Sequence, residues 1–343
     1  MRSILLVLLA FTVGVLLILA IDGKPLQLAN NNAMTPAGNG TLTLGGEPAP
    51  TSTVDDGTNA DTDSDWPSTG PSPEQVLYAQ PRMVRDALTR LTPRVSGTPN
   101  LYVLAFAGDG SEDVFRNEVE YADPLFTQRF GATTHTVILE NNPASLFTRP
   151  LANWSNLDAT LHGLAEVMRP EQDILLLYIT THGDEDHNLL IDMNPFPLDQ
   201  IGAADLAGIL GQHAFKWKVV VINACYSGGF IPPLRGAGTL VLTSARTDRS
   251  SFGCGSASDI TYFGKAWLVD GLNRTPDFIE AFQQASREIA TWERQDNLIA
   301  SEPQLSVGPG IAAQLARWRE GITPGPAVPF KPAAPANAGM TAQ

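Results

Sequence analysis

VVVINACYSGGF, residues 219–230, is the stretch on which the reading of the whole chain depends. Four branched apolar residues run into Asn-Ala-Cys and then Ser-Gly-Gly. A continuous apolar run of this kind is a strand buried on both faces, as in a parallel sheet covered by helices. A cysteine at the end of such a strand is either a small buried hydrophobe or a nucleophile. What ends the neighbouring strands decides between the two.

Outward from this stretch, strand and helix signals alternate. LYVLAFAG (101–108), THTVILEN (134–141), DILLLYITTHG (173–183), KVVVINAC (218–225) and GTLVLTSA (238–245) read as strands. Helical patterns lie between and after them: a polar stretch to Phe130, then Leu157–Met168, Ala203–Leu210, Tyr262–Gly271 and Pro276–Gln295. This alternation implies an α/β fold with a mainly parallel central sheet and right-handed crossovers.

The ends of the chain differ from this middle. Ile4 to Ile21 carry no charge, behind Arg2 and ahead of Asp22 and Lys24, and 1–21 reads as a signal-anchor or signal peptide. With the cationic end inside, the rest is expected outside the cytoplasm, tethered to a membrane or exported. Residues 22–73 are rich in Asn, Thr, Gly, Pro and Asp, the composition of a disordered linker. Residues 321–343 form a Pro/Ala-rich tail, also expected to be disordered, which leaves 74–320 as the folded domain.

Charge and cysteine content exclude several classes. With 22 Lys and Arg against 36 Asp and Glu, the formal net charge of -14 argues against a nucleic-acid partner. Two cysteines, Cys225 and Cys254, do not make a disulfide framework. HGDEDH (182–187) gathers two histidines and three acids, but no partner cluster elsewhere would complete a metal site, so it reads as a loop of solvated acids.

In open parallel sheets, chemistry collects beyond the carboxyl ends of the strands. Two strands here end in reactive residues, ILLLYITT in His182-Gly183 and KVVVINA in Cys225, 43 residues apart. That interval accommodates a helical crossover. Adjacent strands are roughly 5 Å apart, so both side chains can reach one site. A free thiol is only a few per cent ionised at neutral pH, and an imidazole beside it supplies the base or acid it needs. The N–H groups of Gly183 and Cys225 can hold a developing oxyanion, and Gly228 and Gly229 permit a tight departure from the strand. Asp184 or Asp186 is a candidate to orient the imidazole.

The paired motifs THG and NACYSGG resemble the His-Gly and Ala-Cys motifs of the legumain-type cysteine peptidases, in the larger caspase-like group, over roughly Leu101 to Gln295. The resemblance implies a caspase-like three-layer sandwich with His182 and Cys225 as a catalytic dyad. AGDGSEDVFRNEVEYA resembles the segment in which an arginine, here Arg116, helps form the specificity pocket. TSARTDRSSFGCG resembles the loop that carries a pocket serine, here Ser250. The chain departs from the legumain branch at Asn223 and Lys265, where that branch has acids, so a preference for cleaving after asparagine is not carried over.

These features lead to the expectation of a membrane-tethered cysteine endopeptidase acting on peptide or protein substrates. No cofactor and no metal is expected. Two alternatives stand beside it: a transpeptidase, whose acyl-enzyme is captured by an amine, and an idle binding module at the membrane. Cys254 has no assigned role.

Overall fold

The computed structural model describes Trp66 and residues 70–334. The apolar segment at 4–21, most of the linker and residues 335–343 lie outside the described residues. Among those described, no helix is long and apolar enough to cross a membrane.

Helix α1 (Pro73–Thr89) opens the domain with Pro at its first position and a reciprocal cap. The Ser72 hydroxyl accepts from the Gln75 N–H at 3.3 Å, and the Gln75 side chain accepts from the Ser72 N–H at 2.9 Å. The chain then enters β1 (Leu101–Ala107), α2 (Asp113–Pro124), β2 (Thr134–Glu140), α3 (Trp154–Val167) and β3 (Ile174–Thr180). A small ribbon, β4 (Asn188–Leu189) with β5 (Ile201–Gly202), precedes α4 (Ala203–Gly211) and β6 (Trp217–Asn223). β7 (Thr239–Thr243), a wide helical segment Gly264–Gly271, α5 (Phe278–Gln295), β8 (Gln304–Val307) and α6 (Ile311–Glu320) complete it.

The six-stranded sheet has the order β2-β1-β3-β6-β7-β8. All neighbours are parallel except β8, which runs antiparallel to β7. Because side chains alternate across a strand, each strand feeds two cores. Leu101, Val103, Ile174, Leu176, Val219, Val221, Leu240 and Leu242 face α2, α5, α6 and the Gly264–Gly271 segment. Tyr102, Leu104, Leu175, Leu177, Val220, Ile222 and Val241 face α3 and α4. Burial on both faces is why these strands are apolar at every position rather than at alternate ones. The result is the three-layer α/β sandwich with a mainly parallel sheet that the sequence led us to expect.

The strand order reverses between β1 and β3. From β1 the chain moves one way to β2, then returns past β1 to β3 on its other side. Such a reversal parts the flanking loops and opens a crevice at the carboxyl ends of the two strands.

Residues 322–334, beyond α6, run along the outer face of α2. Gly325 N–H donates to the Arg129 carbonyl at 2.7 Å, and Val328 N–H donates to Asn273 Oδ1 at 2.8 Å. Tyr121 Oη donates to the Val328 carbonyl at 2.7 Å. The Phe330 ring meets Tyr121 edge-on at 5.4 Å, and Val328 is buried in the core. Ala333 N–H donates to Asn117 Oδ1 at 2.9 Å.

Candidate active site

Register carries the geometry of the site. Ala107 pairs with Thr180, and Thr180 with Asn223, across three adjacent parallel strands. Asp109, His182 and Cys225 each stand two residues beyond those paired ends, so three chemically active side chains leave the sheet at one height. The backbone ladder continues past the strands: Gly108 N–H donates to Thr180 O at 3.1 Å, and Thr181 N–H to Asn223 O at 3.2 Å. The His182 and Cys225 loops touch. A Cβ on Gly183 would lie 2.4 Å from the Cys225 carbonyl oxygen, so only glycine fits there.

After Cys225 the chain turns sharply. Tyr226 is left-handed, at φ 56 and ψ 15, a conformation that costs a non-glycine residue energy and needs support. Tyr226 N–H donates to Arg249 O at 2.8 Å, and Gly229 N–H donates back to Tyr226 O at 3.1 Å. Gly228 backs onto Thr247, and Gly229 onto the His187 ring, with no room for a side chain at either. His187 therefore packs beneath the turn instead of joining His182 in a metal site.

The imidazole of His182 lies between two carboxylates. Its Nε2 is 3.1 Å from Glu112 Oε2 and 3.5 Å from Asp109 Oδ2, while Phe115 meets the ring edge-on at 5.1 Å. Asp109 is buried and accepts from both the N–H and the hydroxyl of Ser111 at 2.8 Å. Asp184, by contrast, accepts from the Asn188 N–H at 2.9 Å, so it caps its own loop. The acids beside the imidazole thus come from the end of β1 and the start of α2, not from the loop that carries the histidine. Asp109, Glu112 and His182 offer ligand atoms within 4.8 Å of one another, the group among the described residues with the reach to hold a cation.

Cys225 is half-buried and ringed by donors. Ser251 N–H donates to Sγ at 3.3 Å, and Ser251 Oγ lies 3.7 Å away. A hydrogen bond from the Cys254 side chain, then the Ser251 N–H and the Ser251 and Ser250 hydroxyls, outweigh burial and pull the thiol down to about 5. Donors aimed at sulfur favour the thiolate over the thiol. The backbone N–H groups of Gly183 and Cys225 have no acceptor among the described residues.

The other sequence-predicted residues are dispersed. Ser250 lies next to Ser251 in the loop against Cys225, and its hydroxyl is the smallest of the influences that lower that thiol's pKa. Asn223 is 1% exposed and lies under the site, its Nδ2 donating to Glu118, Thr261 and Thr180 at 2.9, 2.9 and 3.2 Å. Arg116 leaves α2 in another direction, donating to the Ala334 carbonyl at 2.8 Å with Nε 3.6 Å from Glu140. Burial, and next the charge of Glu120, push Glu140 up to about 7. Lys265 pairs with Asp270. A cavity of about 480 Å³ does adjoin the His182 acids, lined by Glu112, Asn117, Asn142, Ser256, Asp259 and Ala333 among others. Its serines and asparagines carry no sequence signal, whereas Asp109 follows the strand-end rule that identifies His182 and Cys225.

The sequence model of the peptidase C13 family matches residues 156–313, a span that holds His182, Gly183, Asn223, Cys225 and Ser250 but not Arg116. No curated protein matches the chain. Solved structures with some likeness include caspase-1 from Spodoptera frugiperda, 13% identical over 63% of this chain and 88% of that one, with a TM-score of 0.42. A second is described as pro-sf-caspase-1, 12% identical over 64% of this chain and 92% of that one, with a TM-score of 0.43.

Proposed function

We propose that the chain is a cysteine endopeptidase with Cys225 as nucleophile and His182 as general acid and base. The observation that carries the reading is the common register of β1, β3 and β6, which sets Asp109, His182 and Cys225 side by side at the sheet's carboxyl edge. The peptidase C13 match over the segment with both residues supports cysteine peptidase activity in general.

The chemistry follows from the groups present. The Cys225 thiolate, favoured by its donors, attacks a peptide carbonyl. The oxyanion takes the N–H groups of Gly183 and Cys225, which point to no other acceptor. His182 gives a proton to the departing amine, and the acyl-enzyme then forms on sulfur. The same imidazole takes a proton from the water that hydrolyses it. Asp109 and Glu112 hold the ring by one nitrogen and leave the other for the reaction. The segment at 4–21 would tether this activity outside the cytoplasm, which protease accessibility on intact cells tests.

A mixed peptide library incubated with wild type and Cys225→Ala, and read by mass spectrometry, tests the reading. Cut peptides are expected from wild type alone. Equal cutting by Cys225→Ala sinks the proposal, and ligated products in place of cut ones would move it to amine transfer.

A further inference from the structure

His182 Nε2 meets two carboxylate oxygens that come from separate places in the fold. Glu112 Oε2, at the start of α2, is 3.1 Å away, and Asp109 Oδ2, just beyond β1, is 3.5 Å away. The three atoms all lie within 4.8 Å of one another. In a tetrahedral zinc site with bonds of roughly 2.0–2.2 Å, neighbouring ligand atoms stand roughly 3.3–3.6 Å apart. Both separations from the imidazole nitrogen are close to that spacing.

The surroundings match a metal site too. Asp109 is buried, and Ser111 ties down its Oδ1 with an N–H and a hydroxyl, each at 2.8 Å. Outer hydrogen bonds of this kind fix the direction of a ligand. They leave Oδ2 aimed at the imidazole, its one polar neighbour among the described residues. Phe115 steadies the ring edge-on at 5.1 Å. Among the described residues, neither Asp109 nor Glu112 pairs with a lysine or arginine. A buried charge without such a partner is suited to a metal ion. The cavity of about 480 Å³ that Glu112 lines gives an ion its way in and holds room for a water as fourth ligand.

We propose that Asp109, Glu112 and His182 form a zinc site, and that zinc bound there arrests the peptidase. One imidazole and two carboxylates with an open position suit zinc, whereas calcium takes about six to eight oxygens. Zinc takes the Nε2 lone pair, so the proton of the ring stays on Nδ1. His182 then has no nitrogen free to accept a proton from the hydrolytic water, and an acyl group formed on Cys225 stays there. As a block on catalysis, the inference rests on the peptidase reading; as a metal site, it does not.

The test titrates the full chain with zinc chloride in a calorimeter. One zinc per chain is expected, bound at least about tenfold more weakly by Glu112→Gln and by His182→Ala, and equally well by Cys225→Ala. Circular dichroism checks that each variant is folded, and Glu112, being partly exposed, is the safer of the two to change. X-ray absorption of the zinc-loaded wild type is expected to show nitrogen and oxygen at about 2.0–2.2 Å and no sulfur. Sulfur in the shell, undiminished binding by folded Glu112→Gln, or no binding at submillimolar zinc overturns the inference. Zinc bound at these residues while cutting continues at full rate overturns the arrest. Zinc bound there in a protein that cuts no peptide leaves the site standing and removes the peptidase reading. Cutting by a protein that binds no zinc does the opposite.

Discussion

Asn223 Nδ2 donates to Glu118 Oε2 at 2.9 Å, joining strand β6, which leads to Cys225, to helix α2. Glu118 is fully buried and accepts three further hydrogen bonds: from Tyr178 Oη and Thr261 Oγ1, each at 2.6 Å, and from Thr261 N–H at 3.0 Å. One carboxylate thus satisfies donors from β3, β6 and the loop before the Gly264–Gly271 segment. Removing it strands three buried donors at once, Tyr178 Oη and the Thr261 N–H and hydroxyl, while Asn223 keeps Thr180 and Thr261 as acceptors. Glu118→Ala is expected to cost about 3 kcal/mol or more of unfolding free energy in urea titration. A loss below about 1 kcal/mol would show the network to be dispensable.

Ionisation of Cys225 should be visible directly. With its thiol held at about 5, the rate of iodoacetamide alkylation at Cys225 should rise from pH 3 to 6 and level off above that. An ordinary thiol, near 8.5, would still be gaining reactivity through pH 8. Cys254→Ala removes the leading donor, so its alkylation midpoint should move upward toward that ordinary range. Mass-resolved labelling across pH checks both curves.

At Gly183 the two active loops meet. An added methyl would sit 2.4 Å from the Cys225 carbonyl oxygen and 3.2 Å from the Ala224 Cβ. Backbone oxygen cannot yield as a side-chain tip can. Gly183→Ala is therefore expected to lower stability by about 1–3 kcal/mol and to reduce peptide cleavage by at least about a hundredfold. Thermal unfolding and turnover measured on one preparation would separate the two effects.

Asp109 and Glu112 both lie against the His182 ring, so on the peptidase reading their removal is expected to act on turnover rather than binding. Asp109→Asn keeps the shape of the buried side chain but lets an amide face the imidazole. Its kcat is expected to fall about tenfold or more with little change in KM. Glu112→Gln, on the more exposed partner, should fall less. A rise in KM at constant kcat would instead place either residue in substrate binding.

Much of the architecture was legible because the central strands are buried on both faces. Continuous apolar runs such as LYVLAFA and ILLLYIT leave few other solutions. β8 left no such mark: Gln304–Val307 is a half-exposed edge strand with a mixed pattern. The ribbon of β4 and β5, two residues a side, is shorter than any periodicity. In the site, His182 and Cys225 stood out because each follows a buried strand, His182 directly before Gly183 and Cys225 shortly before Gly228 and Gly229. Asp109 ends β1 in the same register, but GDGSED reads as an ordinary turn until the strand order puts β1 next to β3. Arg116 illustrates the limit of helical spacing. Phe115, Arg116 and Glu118 are close neighbours along α2, yet one meets His182, the next the Ala334 carbonyl and the third the buried network.

The segment 322–334 also gives assembly of the domain a timetable. Tyr121 precedes its partner Val328 by 207 residues. At about 5–20 residues per second, roughly 10–40 s of synthesis separate them on the ribosome. Through that interval the place that Val328 fills beside α2 stays open, and Tyr121 faces it without its final partner. The sheet can pair β1 with β2 and β3 long before α2 is closed over. This face can be completed only after residue 328 has been made, and a nascent chain stalled before it would leave the Val328 place beside Tyr121 unfilled.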